Sequence, residues 1–325
     1  PIFAGIAAIF AIQPSIYRSY LSILEHVQAN VIGAIIAIVF GMVFGPDPFI
    51  IGLTAIVIIA INLRLKIENT IPLALVTVIA IMQSPEESFL QFSFIRFGTV
   101  MIGILSAFLV NLVFLPPKYE TRLYYKVKET TDDILKLIRI NMRHASEHNL
   151  LKGDIENLRQ RMLKLEQLFT LYKEERTYFR TNKTAKARKL VIFRQLIHTS
   201  NRALFTLKML HRLENELHHM PNEYQHYLKA ELDHLVKFIR KIKQHNTSEM
   251  FEEERFNKQA FLDEFIIQKE QWCDGDCDPQ VWYQLFPLIS RIVDYSDQLD
   301  HLEKLMDSFQ NYHNNEFNIR DREEE

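Results

Sequence analysis

The stretch "VQANVIGAIIAIVFGMVFG", Val27–Gly45, runs for 19 residues with only Gln28 and Asn30 as strongly polar side chains. A helix needs about 20 residues, at about 1.5 Å of rise each, to cross a hydrocarbon core. Three more runs of this kind follow, at Phe49–Leu63, Ile67–Met82 and Phe97–Leu115. A soluble protein would cover such segments with amphipathic helices, and the short polar gaps between these runs leave no room for any. The stretch therefore reads as a membrane span within a multi-helix membrane domain.

Charge marks where that domain ends. Residues 1–117 hold 4 of the 38 lysines and arginines and 5 of the 40 acidic residues, but seven of the nine glycines and eight of the eleven prolines. A boundary at Pro116-Pro117 follows, with a transmembrane domain over 1–117 and a polar domain over 118–325. Loop charges orient the first domain. Arg18 lies in "PSIYRSY", Arg64 and Lys66 in "NLRLKIEN", and Lys118, Arg122, Lys126 and Lys128 after the double proline, whereas "GPDP" and "QSPEES" carry no base. The positive-inside rule puts the three basic loops, and with them the C-terminal domain, in the cytoplasm. The expected setting is multi-pass in the plasma (inner) membrane. Pro1–Gln13 then starts outside and covers only about 20 Å of the core. This shortfall, with no initiator Met, predicts a fragment that lacks a first helix; a cleaved signal peptide would have to leave the mature chain starting inside an apolar run.

A shift of 70 residues lays Phe3–Pro46 on Leu73–Pro116 without a gap. Gln13 then meets Gln83, Gly33 meets Gly103, Ala37 meets Ala107, Pro46 meets Pro116, and His26 falls opposite Arg96. Each unit would hold three helices, an odd number, so the halves would cross the bilayer in opposite senses. Inverted repeats of this kind are a transporter architecture, with the site between the halves near helix breaks. Gln13-Pro14 and Gln83 with Pro85 fit either such breaks or plain helix ends at the interface.

The last helix of each unit carries small residues four apart: Ala29, Gly33, Ala37, Gly41 and Gly45, then Thr99, Gly103 and Ala107. That spacing lets helix backbones approach closely, so Gly33, Ala37, Gly41, Gly98, Thr99, Gly103 and Ala107 are read as packing residues. Ionisable groups near the bilayer are functional suspects. Arg96 and His26 stand out because they occupy equivalent repeat positions. An arginine can hold a carboxylate through two hydrogen bonds, and a histidine exchanges a proton near neutral pH. Interfacial anchoring is the plainer alternative. Asn30, Asn62 and Asn111 join Gln13 and Gln83 as candidate polar contacts, against helix–helix hydrogen bonding.

The "QPS" after an apolar run, "RFGTVMIG" and the closing "NLVFLPPKYE" resemble the bacterial aromatic acid exporter family, related to fusaric-acid-resistance-type membrane proteins. The long helical tail resembles that family's C-terminal domain. The resemblance implies efflux of small aromatic carboxylic acids driven by the proton gradient. It attaches most directly to Arg96, Gly98, Thr99 and Gly103. The first half departs from it, with Gln28-Ala29-Asn30 in place of the R-x-G-T pattern, and a first membrane helix is expected to be missing.

Residues 118–325 read as a cytosolic antiparallel helical bundle, making the whole chain all-α. Apolar residues alternate spacings of three and four in Ile155–Tyr172, Leu228–Ile242 and Leu288–Phe309. Breaks are expected near 147–152, 180–186, 220–221, 245–250 and 273–278, for roughly six helices. Such stripes serve packing within a chain and between chains alike, and a homo-oligomer is expected.

Apparent chemical motifs fail. In "WCDGDCDP" a calcium loop would need glycine where Pro279 stands and a carboxylate where Leu285 stands. Asp278-Pro279 reads instead as a helix cap with proline in the first turn. His144 and His148 share a face without a third ligand, so no metal is expected. No phosphate loop, nucleophile elbow or metalloprotease motif occurs, so no cofactor and no enzyme is expected. The basic run "TNKTAKARK" reads as solvated loop. The near-even charge balance of the tail argues against nucleic acid as a partner. The expected partners are the lipid bilayer and small aromatic organic acids. A non-transporting membrane-anchored scaffold or sensor is the alternative reading.

Overall fold

A computed structural model describes residues 2–11, 13, 16–45, 47–83, 89–114, 119–142, 148–174, 183–218, 220–243, 256–273 and 279–313. Among them the regular structure is entirely helical. Backbone contacts separate a unit ending at Lys118 from a second beginning at Tyr119.

The first unit contains α1 (Ile2–Ala11), α2 (Ile16–Phe44), α3 (Pro48–Arg64), a 3₁₀ turn (Glu68–Thr70), α4 (Ile71–Met82) and α5 (Phe89–Phe114). By length and composition, α2 is the one described helix long and apolar enough to cross a membrane, over Arg18–Phe44; Pro48–Arg64, Glu68–Met82 and Phe94–Val110 are shorter apolar helices. Both α2 and α5 start well before the apolar runs that announce them. Arg18, expected in a loop, lies inside α2. The reason is visible in burial: Ser19, Ser22, His26 and Asn30 share one buried face, so these polar residues extend the helix rather than interrupt it.

Local signals set the ends of α3. Asp47 accepts the Phe49 N–H at 2.8 Å, and Pro48 occupies the first turn, where its missing N–H costs nothing. At the other end Ile67 N–H donates to Asn62 O and Lys66 N–H to Leu63 O, both at 3.1 Å, with Lys66 at φ 60°. This is a Schellman closure with lysine at the left-handed position that glycine usually fills, and buried Ile67 supplies its apolar contact.

In this unit α1 packs on α5, α2 on α4 and α5, and α3 on α2 and α4. Two crossings are set by glycine. A Cβ added at Gly103 would lie 2.2 Å from the Ala4 carbonyl oxygen, and one at Gly33 would meet Val78 Cγ2 at 3.3 Å and Ala74 O at 3.8 Å. Outward faces stay apolar: Ile35, Val39 and Met42 on α2, Phe49 and Ile56 on α3, and Ile95, Ile102 and Leu109 on α5 are exposed. Continuous apolar exposure of this kind belongs at a lipid or protein contact rather than in water.

The second unit holds α6 (Tyr119–Met142), α7 (His148–Glu174), α8 (Lys183–Arg212), a short α9 (Glu214–His218), α10 (Asn222–Lys243), α11 (Lys258–Cys273) and α12 (Pro279–His313). The predicted stripes form its core. Ile155, Leu158, Met162, Leu165 and Tyr172 are buried on α7, Leu228, Leu232, Leu235 and Ile239 on α10, and Leu288 through Phe309 at the predicted positions of α12. The α9 turn was not expected. Asp278 and Cys277 lie outside the described residues, as does His144; α12 does begin at Pro279.

Polar links fix which faces meet. Thr131 Oγ1 and Ser200 Oγ lie 2.7 Å apart between α6 and α8, Arg139 pairs with Asp233 between α6 and α10, and Arg202 Nη1 lies 2.9 Å from Asp294 between α8 and α12. Around α10, Tyr224, Phe265 and Trp282 form an aromatic cluster with centroids 5.4–6.2 Å apart. Beside it, burial pushes the Tyr227 phenol up to about 12.

Candidate functional site

The first unit gathers its polar side chains on buried helix faces. Along α2 the inward stripe runs Ser19, Ser22, His26, Asn30, Gly33, Ala37, hydroxyls and imidazole first and small packing residues after. Asn30 Nδ2 donates to the His26 carbonyl at 2.8 Å. Across the interface, Thr77 Oγ1 of α4 lies 2.8 Å from Asn30 Oδ1 and 3.0 Å from Leu73 O. One hydroxyl proton serves both acceptors. The chain Thr77–Asn30–His26 carbonyl therefore ties α4 to α2 in a site sealed from solvent, where a mispaired amide would be costly. On α3, Thr54 and Asn62 are buried one turn apart from Ile58 on either side and return their side chains to Ile50 O and Ile58 O.

On α5 the inward face is Arg96, Val100, Gly103 and Ile104. These match His26, Asn30, Gly33 and Ala34 of α2 under the 70-residue shift, so equivalent turns of α2 and α5 are buried. Their chemistry differs. Asn30 of α2 has its hydrogen bond to Thr77, whereas Val100 and Ala7, at the positions that the shift sets opposite them, belong to one apolar cluster with Ala11, Leu73 and Ile104. His26 and Arg96 are 1 % and 3 % exposed, the two most deeply buried ionisable side chains among the described residues of the unit.

The remaining sequence candidates sit elsewhere. Gln13 is half-buried beyond the end of α1, and Gln83 is exposed where α4 ends, its N–H capping to Ile79 O. Asn111 belongs to α5, with its side chain outside the described residues. Of the small residues, Gly33, Ala37 and Gly103 are buried, whereas Gly41, Gly98, Thr99 and Ala107 are half-buried. A Cβ at Gly98 would meet nothing within 4 Å, and Thr99 turns its hydroxyl back to Ile95 O. Sequence reasoning missed Thr77, Ser19 and Ser22. Ser19 and Ser22 were legible as a 3-4 series with His26; Thr77 was not, because an isolated threonine in an apolar run resembles any other.

A sequence model of aromatic acid exporter family member 1 matches residues 1–114. One for the fusaric acid resistance protein family matches residues 71–313, about three quarters of the chain. The chain belongs to the fusaric acid resistance protein family. Membership makes it a membrane protein of exporter type. This fusaric acid resistance family member is similar to the UPF0421 protein YgaE of Bacillus subtilis (strain 168), 53 % identical over 321 residues that cover 96 % of the chain and 89 % of the relative. It is 24 % identical to the UPF0421 protein SH1063 of Staphylococcus haemolyticus over 308 residues, 92 % and 90 % of the two chains. A shorter match, 30 % identity over 183 residues, reaches the UPF0421 protein SSP0904 of Staphylococcus saprophyticus, with 55 % and 56 % coverage.

Proposed function

We propose that the protein exports aromatic carboxylic acids across the plasma membrane, driven by the proton gradient, with the polar second unit in the cytoplasm. The observation that carries this reading is the burial of Arg96 and His26 at matching positions of α5 and α2, inside a unit that exposes apolar helix faces. An ionisable side chain held within membrane helices is expensive, and such groups mark substrate and proton paths. Arginine offers the planar fork that a carboxylate fits, and histidine the proton exchange that coupling to a gradient needs. The match to the aromatic acid exporter family over residues 1–114 supports the cargo class.

The inverted-repeat reading is supported by the exchange of partners at the glycine crossings. Gly33 of α2 meets Ala74 of α4, and Gly103 of α5 meets Ala4 of α1; each pair is the 70-residue image of the other. The halves thus interlock, and their shared interface is where such transporters place the cargo. The polar lining in one copy and the apolar lining in the other give an amphiphilic acid distinct surfaces for its two ends.

The test is cellular accumulation of a radiolabelled aromatic acid under an imposed proton gradient. Cells expressing the protein accumulate less label than cells without it. Arg96→Ala abolishes the difference at unchanged expression, and Arg96→Lys restores part of it. Equal accumulation with and without the protein across a panel of aromatic acids refutes the proposal.

A further inference from the structure

The second unit carries a groove of about 640 Å³ between α7, α8 and α12. That volume lies within the range of small-molecule sites. Phe169, Val191 and Ile197 give it apolar lining, and Arg194, His198 and His301 supply its basic side chains. Among the described residues Glu166 is the one acid in the lining, and its carboxylate accepts from Asn201 Nδ2 at 3.3 Å. Three groups able to carry positive charge against a single engaged carboxylate favour an anionic guest.

Of these, His198 is preorganised. Gln195 Nε2 lies 3.2 Å from the Gln298 backbone carbonyl and 3.0 Å from Gln298 Oε1. A backbone carbonyl can only accept, so Gln195 must present its NH₂ there. Gln298 must in turn face it with its oxygen. The same Oε1 lies 3.0 Å from His198 Nδ1, and since an amide oxygen cannot donate, Nδ1 must carry the hydrogen. The tautomer of His198 is therefore set by a main-chain group two side chains away, which leaves Nε2 as the ring nitrogen to meet a ligand: an acceptor for a hydroxyl when neutral, a donor to a carboxylate when protonated. Side chains already ordered by such a network lose little further freedom on binding.

We propose that this groove binds small aromatic carboxylates, with Arg194 holding the carboxylate, the Phe169–Ile197 wall carrying the ring and His198 meeting a ring hydroxyl or the acid. The site lies in the second unit, among whose described residues no helix is long and apolar enough to cross a membrane. Its role as a reporter of cargo concentration rests on the transport reading above; its existence as a site does not.

The probe is labelled 4-hydroxybenzoate in equilibrium dialysis against the purified full-length chain in detergent, in wild-type and Arg96→Ala backgrounds. One saturable site per chain remains in Arg96→Ala. Its Kd rises about tenfold or more in Arg194→Glu and in His198→Ala, as expected for loss of a charge-assisted contact. Both residues are exposed, and unchanged circular dichroism melts certify the fold of the variants. Unlabelled 4-hydroxybenzoate displaces the label, while acetate and inorganic phosphate at the same concentration do not. Identical binding in Arg96→Ala and in Arg96→Ala with Arg194→Glu overturns the groove assignment. Displacement by phosphate as effective as by 4-hydroxybenzoate overturns the ligand class. If Arg96→Ala still exports the acid while Arg194→Glu loses the dialysis signal, the transport path has been misplaced and the groove stands.

Discussion

Replacing Gly103 with alanine places a methyl group 2.2 Å from the Ala4 carbonyl oxygen, 2.9 Å from its carbonyl carbon and 3.0 Å from its Cα. All three are backbone atoms, so no rotamer change relieves the clash. Relief to ordinary contact requires α1 to withdraw by about 1 Å, which loosens Ala7 and Ala11 from Val100 and Ile104, the cluster that holds α1 in place. Overpacking of this kind costs about 1–3 kcal/mol, and the better helix propensity of alanine returns about 1 kcal/mol. The net expectation is a loss of up to about 2 kcal/mol. At Gly33 the same substitution meets Val78 Cγ2 at 3.3 Å, a side-chain methyl that can give by a few tenths of an ångström. Strain and propensity then nearly cancel. At Gly98 nothing lies within 4 Å, and alanine should stabilise by about 1 kcal/mol. The three variants share one chemistry and differ only in what the methyl group meets. Thermal unfolding of the detergent-solubilised protein should rank Gly98→Ala above wild type, Gly33→Ala beside it and Gly103→Ala below, at about 2–4 °C per kcal/mol. A Gly103→Ala midpoint equal to or above that of Gly98→Ala refutes the α1–α5 crossing.

Thr77→Val leaves buried Asn30 Oδ1 without its hydroxyl donor and should cost about 1–3 kcal/mol; adding Asn30→Val should recover most of it, and a double-mutant cycle of thermal midpoints that finds no coupling refutes the Thr77–Asn30 link. Lys66→Gly should stabilise by about 1 kcal/mol, because glycine adopts φ 60° without the Cβ clash, while Lys66→Val should destabilise; melts of the two variants decide. Burial alone would raise the Asp233 carboxyl, but hydrogen bonds from Lys237 and Arg139 outweigh it and hold the group below the usual aspartate range. A depressed folded-state value means that its contribution is present at neutral pH and fades as pH falls through the acid range, below about pH 4. Asp233→Asn should flatten that acid limb in melts recorded as a function of pH, and an unchanged limb counts against the ion pair.

The bundle was legible because its stripes are redundant. Each of Ile292, Tyr295, Leu299 and Leu302 repeats the message of its neighbours, and every one is buried. The starts of α2 and α5 were less legible, since residues such as Arg18 and Ser19 look like loop and become helix through the partner faces they meet. The candidate site divides in the same way. His26 and Arg96 stood out through charge and repeat position, while Thr77 has no signal of its own and matters only through Asn30, 47 positions away. The His198–Gln298–Gln195 network spans 103 positions and follows no local period.

What the amino-acid order determined by itself was the class of each segment: apolar runs with few charges, amphipathic stripes, the all-α composition. These follow from solvation and from backbone geometry within a few residues, which act before any partner is present. Tertiary structure alone decided which glycines sit at backbone crossings, which hydroxyl meets which amide and which tautomer His198 holds. Each of those depends on atoms brought within about 3 Å of one another from helices far apart in the chain, at distances where a shift of one ångström makes or abolishes the contact.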